Sequence, residues 1–133
     1  KEEVLPMKII DGRGGVNSFH FSEKSKSKKY TYDIVEIKVI ALDSYNLNNV
    51  DFMKIDIESH ELEMLKGAVK TLERCNPIIF IEDPTYFYRI KNNQTTPSLY
   101  GDALTGVEFL TSLGYNNLGH LGTYNYLLVR DKF

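Results

Sequence analysis

Cysteine is nearly absent from this chain. The single Cys75 excludes an internal disulfide framework and fits a reducing compartment, so a cytoplasmic location is expected. No apolar run approaches the ~18 residues of a membrane span, and no signal-peptide pattern is present, so no membrane partner is expected. Neither sign of charge dominates: 16 basic residues face 18 acidic ones, for a net charge of −2. That balance gives no general attraction for nucleic acid. The basic run at residues 22–29 (S-E-K-S-K-S-K-K) reads as a solvated loop or hairpin tip. Repeats and low-complexity tracts are missing too. Even the usual first methionine is absent: the chain opens on Lys1, as a processed product or a fragment does.

What remains is ordinary globular composition, 42% hydrophobic and 26% charged over 133 residues. That length fits a single domain over residues 1–133, burying roughly two-thirds of the surface its unfolded form exposes.

The most informative stretch is residues 50–67, V-D-F-M-K-I-D-I-E-S-H-E-L-E-M-L-K-G. A strand at residues 51–57 would put Phe52, Lys54, Asp56 and Glu58 on one face and Met53, Ile55 and Ile57 on the other. Three ionisable groups in a row on an otherwise buried strand are costly unless they pair or work. They also end at the strand's carboxyl tip, where open α/β sheets bind ligands. Lys54 is expected deepest, paired with Asp56, and Glu58 most exposed.

After Ser59, a good N-cap, Leu62, Leu65, Val69 and Leu72 recur at helical spacing and predict one helix over residues 61–75, stopped by Asn76-Pro77. Ile78 to Ile81 reads as a buried strand ending at Glu82-Asp83-Pro84. If this strand runs parallel beside the first, Glu82 approaches Asp56 or Glu58. Residues 85–100 read as a long irregular segment. Asp102 is expected to cap a helix whose Ala103, Leu104, Val107, Leu110 and Leu113 face the core, ended by Gly114. Residues 115–118 and 124–130 predict a closing antiparallel hairpin around residues 119–122. Upstream, residues 30–42 predict one or two strands.

His60, beside the strand tip, has the reference pKa of a general base, about 6.5, and an exposed histidine without a task fits the same pattern. Tyr86, Tyr88 and Arg89, with Glu82, suit a substrate wall, or rings that pin the loop to the body. The carboxylates fit no specific metal-ligand spacing, so no metal is expected. Asp11-Gly12-Arg13-Gly14-Gly15 is rejected as a cofactor loop, because no convincing amphipathic helix follows it.

Residues 50–68 resemble the FkbM family of S-adenosylmethionine-dependent methyltransferases, whose pattern here is close to V-D-F-I-K-I-D-V-E-G-x-E-L-x-V-L-x-G-A. Asp51, Phe52, Lys54, Ile55, Asp56, Glu58, Glu61, Leu62, Leu65, Gly67 and Ala68 match, and Ser59 stands where the family usually has glycine. Pro77 to Glu82 looks like the family's next strand, and Leu42-Asp43 like its preceding L-D. The resemblance is good over residues 35–83 and loose elsewhere. It implies an α/β, Rossmann-like methyltransferase fold, incomplete here. What is left is the carboxyl-terminal half, a mostly parallel sheet with a closing antiparallel hairpin. It also implies S-adenosylmethionine as cofactor and O-methylation of a hydroxyl on a small molecule or sugar. The family's upstream glycine-rich turn and ribose-binding acid are not seen in residues 1–49, so this chain alone is expected to bind the cofactor weakly or not at all. On this reading Lys54, Asp56, Glu58 and His60 are the catalytic candidates, and Glu82, Tyr86, Tyr88 and Arg89 the substrate-binding ones. The alternative is a non-catalytic half-fold that forms a homodimer through an exposed sheet edge.

Overall fold

The structure, a computed structural model, describes residues 2–10, 32–58, 60–92 and 104–131. The readings made at residues 11–15 and 22–29, at Ser59, and at Asp102 and Ala103 lie outside them.

Two antiparallel strands open the described chain, β1 (Glu2–Ile10) and β2 (Tyr32–Ile40), paired in register from Glu2 with Ile40 to Ile10 with Tyr32. β1 escaped the sequence reading because Pro6 interrupts its alternation. In a two-stranded sheet both strands are edges, where proline is tolerated.

A second sheet has the order β3-β4-β6-β5, from β3 (Phe52–Ile55), β4 (Ile78–Glu82), β5 (Asn116–Leu121) and β6 (Asn125–Val129). β3 and β4 run parallel, with Lys54 opposite Phe80. The other two pairings, β4 with β6 and β6 with β5, are antiparallel. The expected mostly parallel sheet is therefore corrected to a mixed one. The closing hairpin is longer than expected. Gly119, at φ 114°, absorbs a bulge between Asn117 and His120, so β5 continues to Leu121 and the turn moves to residues 122–124.

The single helix expected after β3 is two, α1 (Glu61–Lys66) and α2 (Val69–Cys75). Asp43 makes the break. Its N–H donates to the Gly67 carbonyl at 2.9 Å, which takes an acceptor out of the helical ladder. Its carboxylate then accepts from the Lys70 and Thr71 amides at 3.0 and 2.8 Å and from the Thr71 hydroxyl at 2.8 Å, capping α2. A Cβ at Gly67 would lie 3.3 Å from the Ala41 Cβ, tighter than an ordinary contact, so glycine lets the chain before Asp43 come this close without displacement.

Two more helices follow β4. The irregular segment expected there is corrected at its start by α3 (Pro84–Lys91), capped by Asp83 with Pro84 in the first turn. Then comes α4 (Gly106–Ser112), which starts from Thr105 through a capping box with Glu108. Leu104 precedes the cap and is 48% exposed rather than core-facing.

The helices bury Leu65, Leu72, Val107 and Leu110 against Met53, Ile55, Ile79, Ile81, Tyr126 and Leu128 on one face of the mixed sheet. Full burial of each such side chain stabilises by about 1.5–3 kcal/mol. Arg130 locks the helix ends from below. Its guanidinium donates to the Leu113 carbonyl at 3.1 Å, the Leu72 carbonyl at 3.0 Å and the Asn76 amide oxygen at 2.8 Å, over the Tyr115 ring. Phe52 and Ile78, register partners on the opposite face, remain 56% and 45% exposed. Among the described residues no helix is long and apolar enough to cross a membrane.

Candidate active site at the tips of the parallel strands

Alternation along β3 holds: Met53 and Ile55 are buried, Phe52 and Lys54 exposed. Because Ile55 pairs with Ile81, the next positions, Asp56 and Glu82, come together beyond the ladder. Their carboxyl groups are hydrogen-bonded to each other. Lys54 Nζ reaches Asp56 Oδ2 at 2.8 Å from the same face.

This arrangement separates two carboxyl groups that are chemically alike. The Lys54 bond, followed by the Glu82 bond, holds Asp56 below its usual range against an opposing effect of burial. Glu82 goes the other way. Burial, its hydrogen bond to Asp56 and the charges of Asp56, Glu58 and Glu61 push it up to about 7. Below about pH 7 Glu82 thus holds a proton, shared in a hydrogen bond with the Asp56 carboxylate, and above it Glu82 is a free carboxylate. Like charges at close range cannot both ionise cheaply. The pair is a proton acceptor poised at neutral pH.

Glu58 stands beside the pair in a left-handed conformation, φ 51°. That turn redirects the chain immediately after the strand. Glu61, 7% exposed, fixes it from behind by accepting the Ile57 N–H at 3.1 Å.

The structure corrects the depth expected of Lys54. Its side chain is 54% exposed and that of Asp56 40%, because no described element covers this face of the sheet. An exposed pair of this kind contributes about 0–1 kcal/mol. Lys54→Met is therefore expected to shift a urea midpoint by less than ~1 kcal/mol equivalent, not by the 3–5 kcal/mol of a broken buried pair.

The other candidates are dispersed. His60 lines a groove beneath the β1–β2 hairpin, together with Ile57 and Met64. Tyr86 packs edge-to-face on Tyr126 at 5.0 Å and belongs to the margin of the core. Arg89 forms an ion pair with Glu108, inside the capping box of α4. Tyr88 alone of the three stays exposed, at 48%, with its hydroxyl 2.8 Å from that of Tyr124.

Tyr124 was missed in the sequence. Its carbonyl accepts the Asp83 N–H at 2.8 Å, and Asn125 after it pairs with Glu82, which sets Tyr124 at the same strand tips. The Tyr88 hydrogen bond first, then burial and the charges of Tyr88 and Glu82, push its phenol up. The signal was positional: a tyrosine at the turn of the closing hairpin faces the carboxyl end of the neighbouring parallel strand.

Among the described residues no group of three or more histidine, cysteine or acidic side chains is arranged to hold a metal ion. A family model described as the methyltransferase FkbM domain matches residues 2–116. No curated protein and no solved structure matches the chain. With that match spanning most of its length, and the motif strand ending in a proton-sharing carboxyl pair, the chain belongs to the FkbM methyltransferase family.

Proposed function

We propose that this chain carries the acceptor side of an S-adenosylmethionine-dependent O-methyltransferase, and that the Asp56–Glu82 pair takes the proton from the acceptor hydroxyl. The single observation behind this reading is Glu82, pushed up to about 7 while hydrogen-bonded to Asp56 at the carboxyl edge of two parallel strands.

The cofactor's sulfonium is a cation, and the cluster of Asp56, Glu58 and Glu82 suits that end of it. Its adenosine end finds less. The strand-to-helix turns among the described residues, at residues 56–60 and at Asp83, hold no glycine that would let backbone approach a nucleotide. When bound, S-adenosylmethionine supplies an electrophilic methyl group. The chain's own part is to orient a hydroxyl and remove its proton, a contribution of about 10²–10⁴-fold for a positioned base. Lys54 keeps Asp56 ionised, and Glu82 becomes a free carboxylate as pH rises through about 7. The hydroxyl belongs to a small molecule or sugar that rests against Tyr88 and Tyr124.

The test is transfer of labelled methyl from millimolar S-adenosylmethionine to a panel of monosaccharides and small alcohols, followed from pH 5.5 to 9. The rate is expected to climb with an apparent pKa of about 7 and then level. A profile flat across that range, or label found only on nitrogen or sulfur, overturns the reading.

A further inference from the structure

We infer that the phenol pair of Tyr88 and Tyr124 reads a second oxygen on the acceptor, so that the strand-tip site takes diols and polyols in preference to simple alcohols. The inference rests on the methyltransferase reading for which hydroxyl reacts, while the recognition itself is open to a test by binding alone.

The two hydroxyls lie 2.8 Å apart. A phenol has one proton to donate, so whichever of them donates in this bond, the other keeps its own. Among the described residues neither hydroxyl has another partner. The pair therefore presents one O–H donor, together with unused lone pairs, to a molecule resting on it.

That donor is held in place before anything binds. Phe87 packs edge-on against both rings, its centroid 5.4 Å from that of Tyr88 and 5.2 Å from that of Tyr124. The two tyrosine rings lie 5.8 Å apart, tilted by 44°. Rings fixed in advance spare the ligand the cost of ordering them. The Tyr88 hydrogen bond, ahead of burial, pushes the Tyr124 phenol up, so this group keeps its proton in neutral and mildly alkaline solution.

Placement ties the pair to the carboxyl groups. Carried back from β6, strand alternation sets Tyr124 on the side of buried Tyr126, toward the helices. Glu82 shares the open face with Lys54, since Lys54 pairs with Phe80 and Glu82 is two residues further on. Both groups stand at the carboxyl edge, where the Tyr124 carbonyl accepts the Asp83 N–H at 2.8 Å. A molecule lying across that edge meets the carboxyl pair with one oxygen and the phenols with another. A simple alcohol leaves the phenol donor to water.

The probes are cyclohexanol and the 1,2-, 1,3- and 1,4-cyclohexanediols, which share one hydrocarbon body. Saturation-transfer NMR without S-adenosylmethionine gives their affinities, and labelled-methyl transfer with it gives kcat/KM. At least one diol is expected to bind and react roughly tenfold better than cyclohexanol, with the difference in KM rather than kcat. Tyr88→Phe combined with Tyr124→Phe keeps both rings and should bring that diol down to the level of cyclohexanol in both measurements. The inference is overturned if no diol exceeds cyclohexanol by more than twofold in binding, or if the double variant keeps the preference. It is equally overturned if the double variant weakens S-adenosylmethionine as much as the diol, which would assign the rings to the cofactor. A diol preference that the double variant erases, without any methyl transfer, upholds the recognition and defeats the methyltransferase reading instead.

Discussion

Replacing Asp83 by alanine is expected to lower the unfolding free energy by roughly 3–5 kcal/mol, enough to remove much of the stability of an ordinary small domain. The side chain is 4% exposed and stands at the start of two helices at once. Its Oδ1 accepts the Tyr86 N–H at 2.9 Å, capping α3, and its Oδ2 accepts the Val107 N–H at 2.9 Å, in the first turn of α4. The Thr105 hydroxyl bonds it as well. Alanine would leave those donors buried and unmatched, and each lost cap costs about 0.5–2 kcal/mol before the cavity is counted. Asparagine is no rescue: one oxygen can still accept, but its amide would then point a donor at another backbone donor. Chemical denaturation followed by circular dichroism gives the measurement. A loss below 1 kcal/mol for Asp83→Ala would mean that water replaces the carboxylate and that α3 and α4 are held by packing alone.

Asp83 also marks how far the sequence could be read. An asparagine, aspartate or serine followed at once by proline is a helix start, but after the run Ile78 to Glu82 the same Asp83-Pro84 reads as the end of a strand. Both readings are right, and only the strand end was legible. The start of α4 was lost to Asp102, which drew the cap three residues upstream of the Thr105-x-x-Glu108 box that makes it. The split of α1 from α2 was hidden because its cause, Asp43, lies 27 positions before Lys70.

The strand at Phe52–Ile55, its parallel partner at Ile78–Glu82 and the meeting of Asp56 with Glu82 were legible, because alternation and register are local rules. The depth of Lys54 was not, since burial on a face depends on what the rest of the chain lays over it. Likewise Arg89 looked like a ligand for substrate until Glu108, 19 residues away, proved to be its partner. Periodicity shows which side chains share a face; it does not show which of them meet each other across helices.

Glu82→Gln is expected to abolish most methyl transfer, by about 10²–10⁴-fold, while making the protein more stable in alkaline solution. The two effects have one origin. Folding raises the carboxyl of Glu82 from 4.5 to about 7, so between those values the folded chain holds a proton that the unfolded chain has released. Stability contributed by this group is complete below about 4.5, falls as pH rises through the window, and is lost above about 7. There the ionised Glu82 faces Asp56, Glu58 and Glu61 at close quarters. Glutamine keeps the size and still donates to the Asp56 carboxylate, through an amide that never titrates. The difference in unfolding free energy between variant and parent should therefore be near zero below pH 4.5, favour the variant increasingly between there and about pH 7, and level off above it. A residue that only fixed the strand tips would show no such crossing: its replacement would cost stability at every pH and activity in proportion. Denaturant midpoints at four pH values, taken alongside methyl-transfer rates, separate the cases. Should the variant retain its rate within twofold, the pair is not the base. Should it be the less stable protein at pH 8, the shared proton is misassigned, and the proton acceptor must be sought in Asp56, paired with Lys54, or in Glu58 beside it.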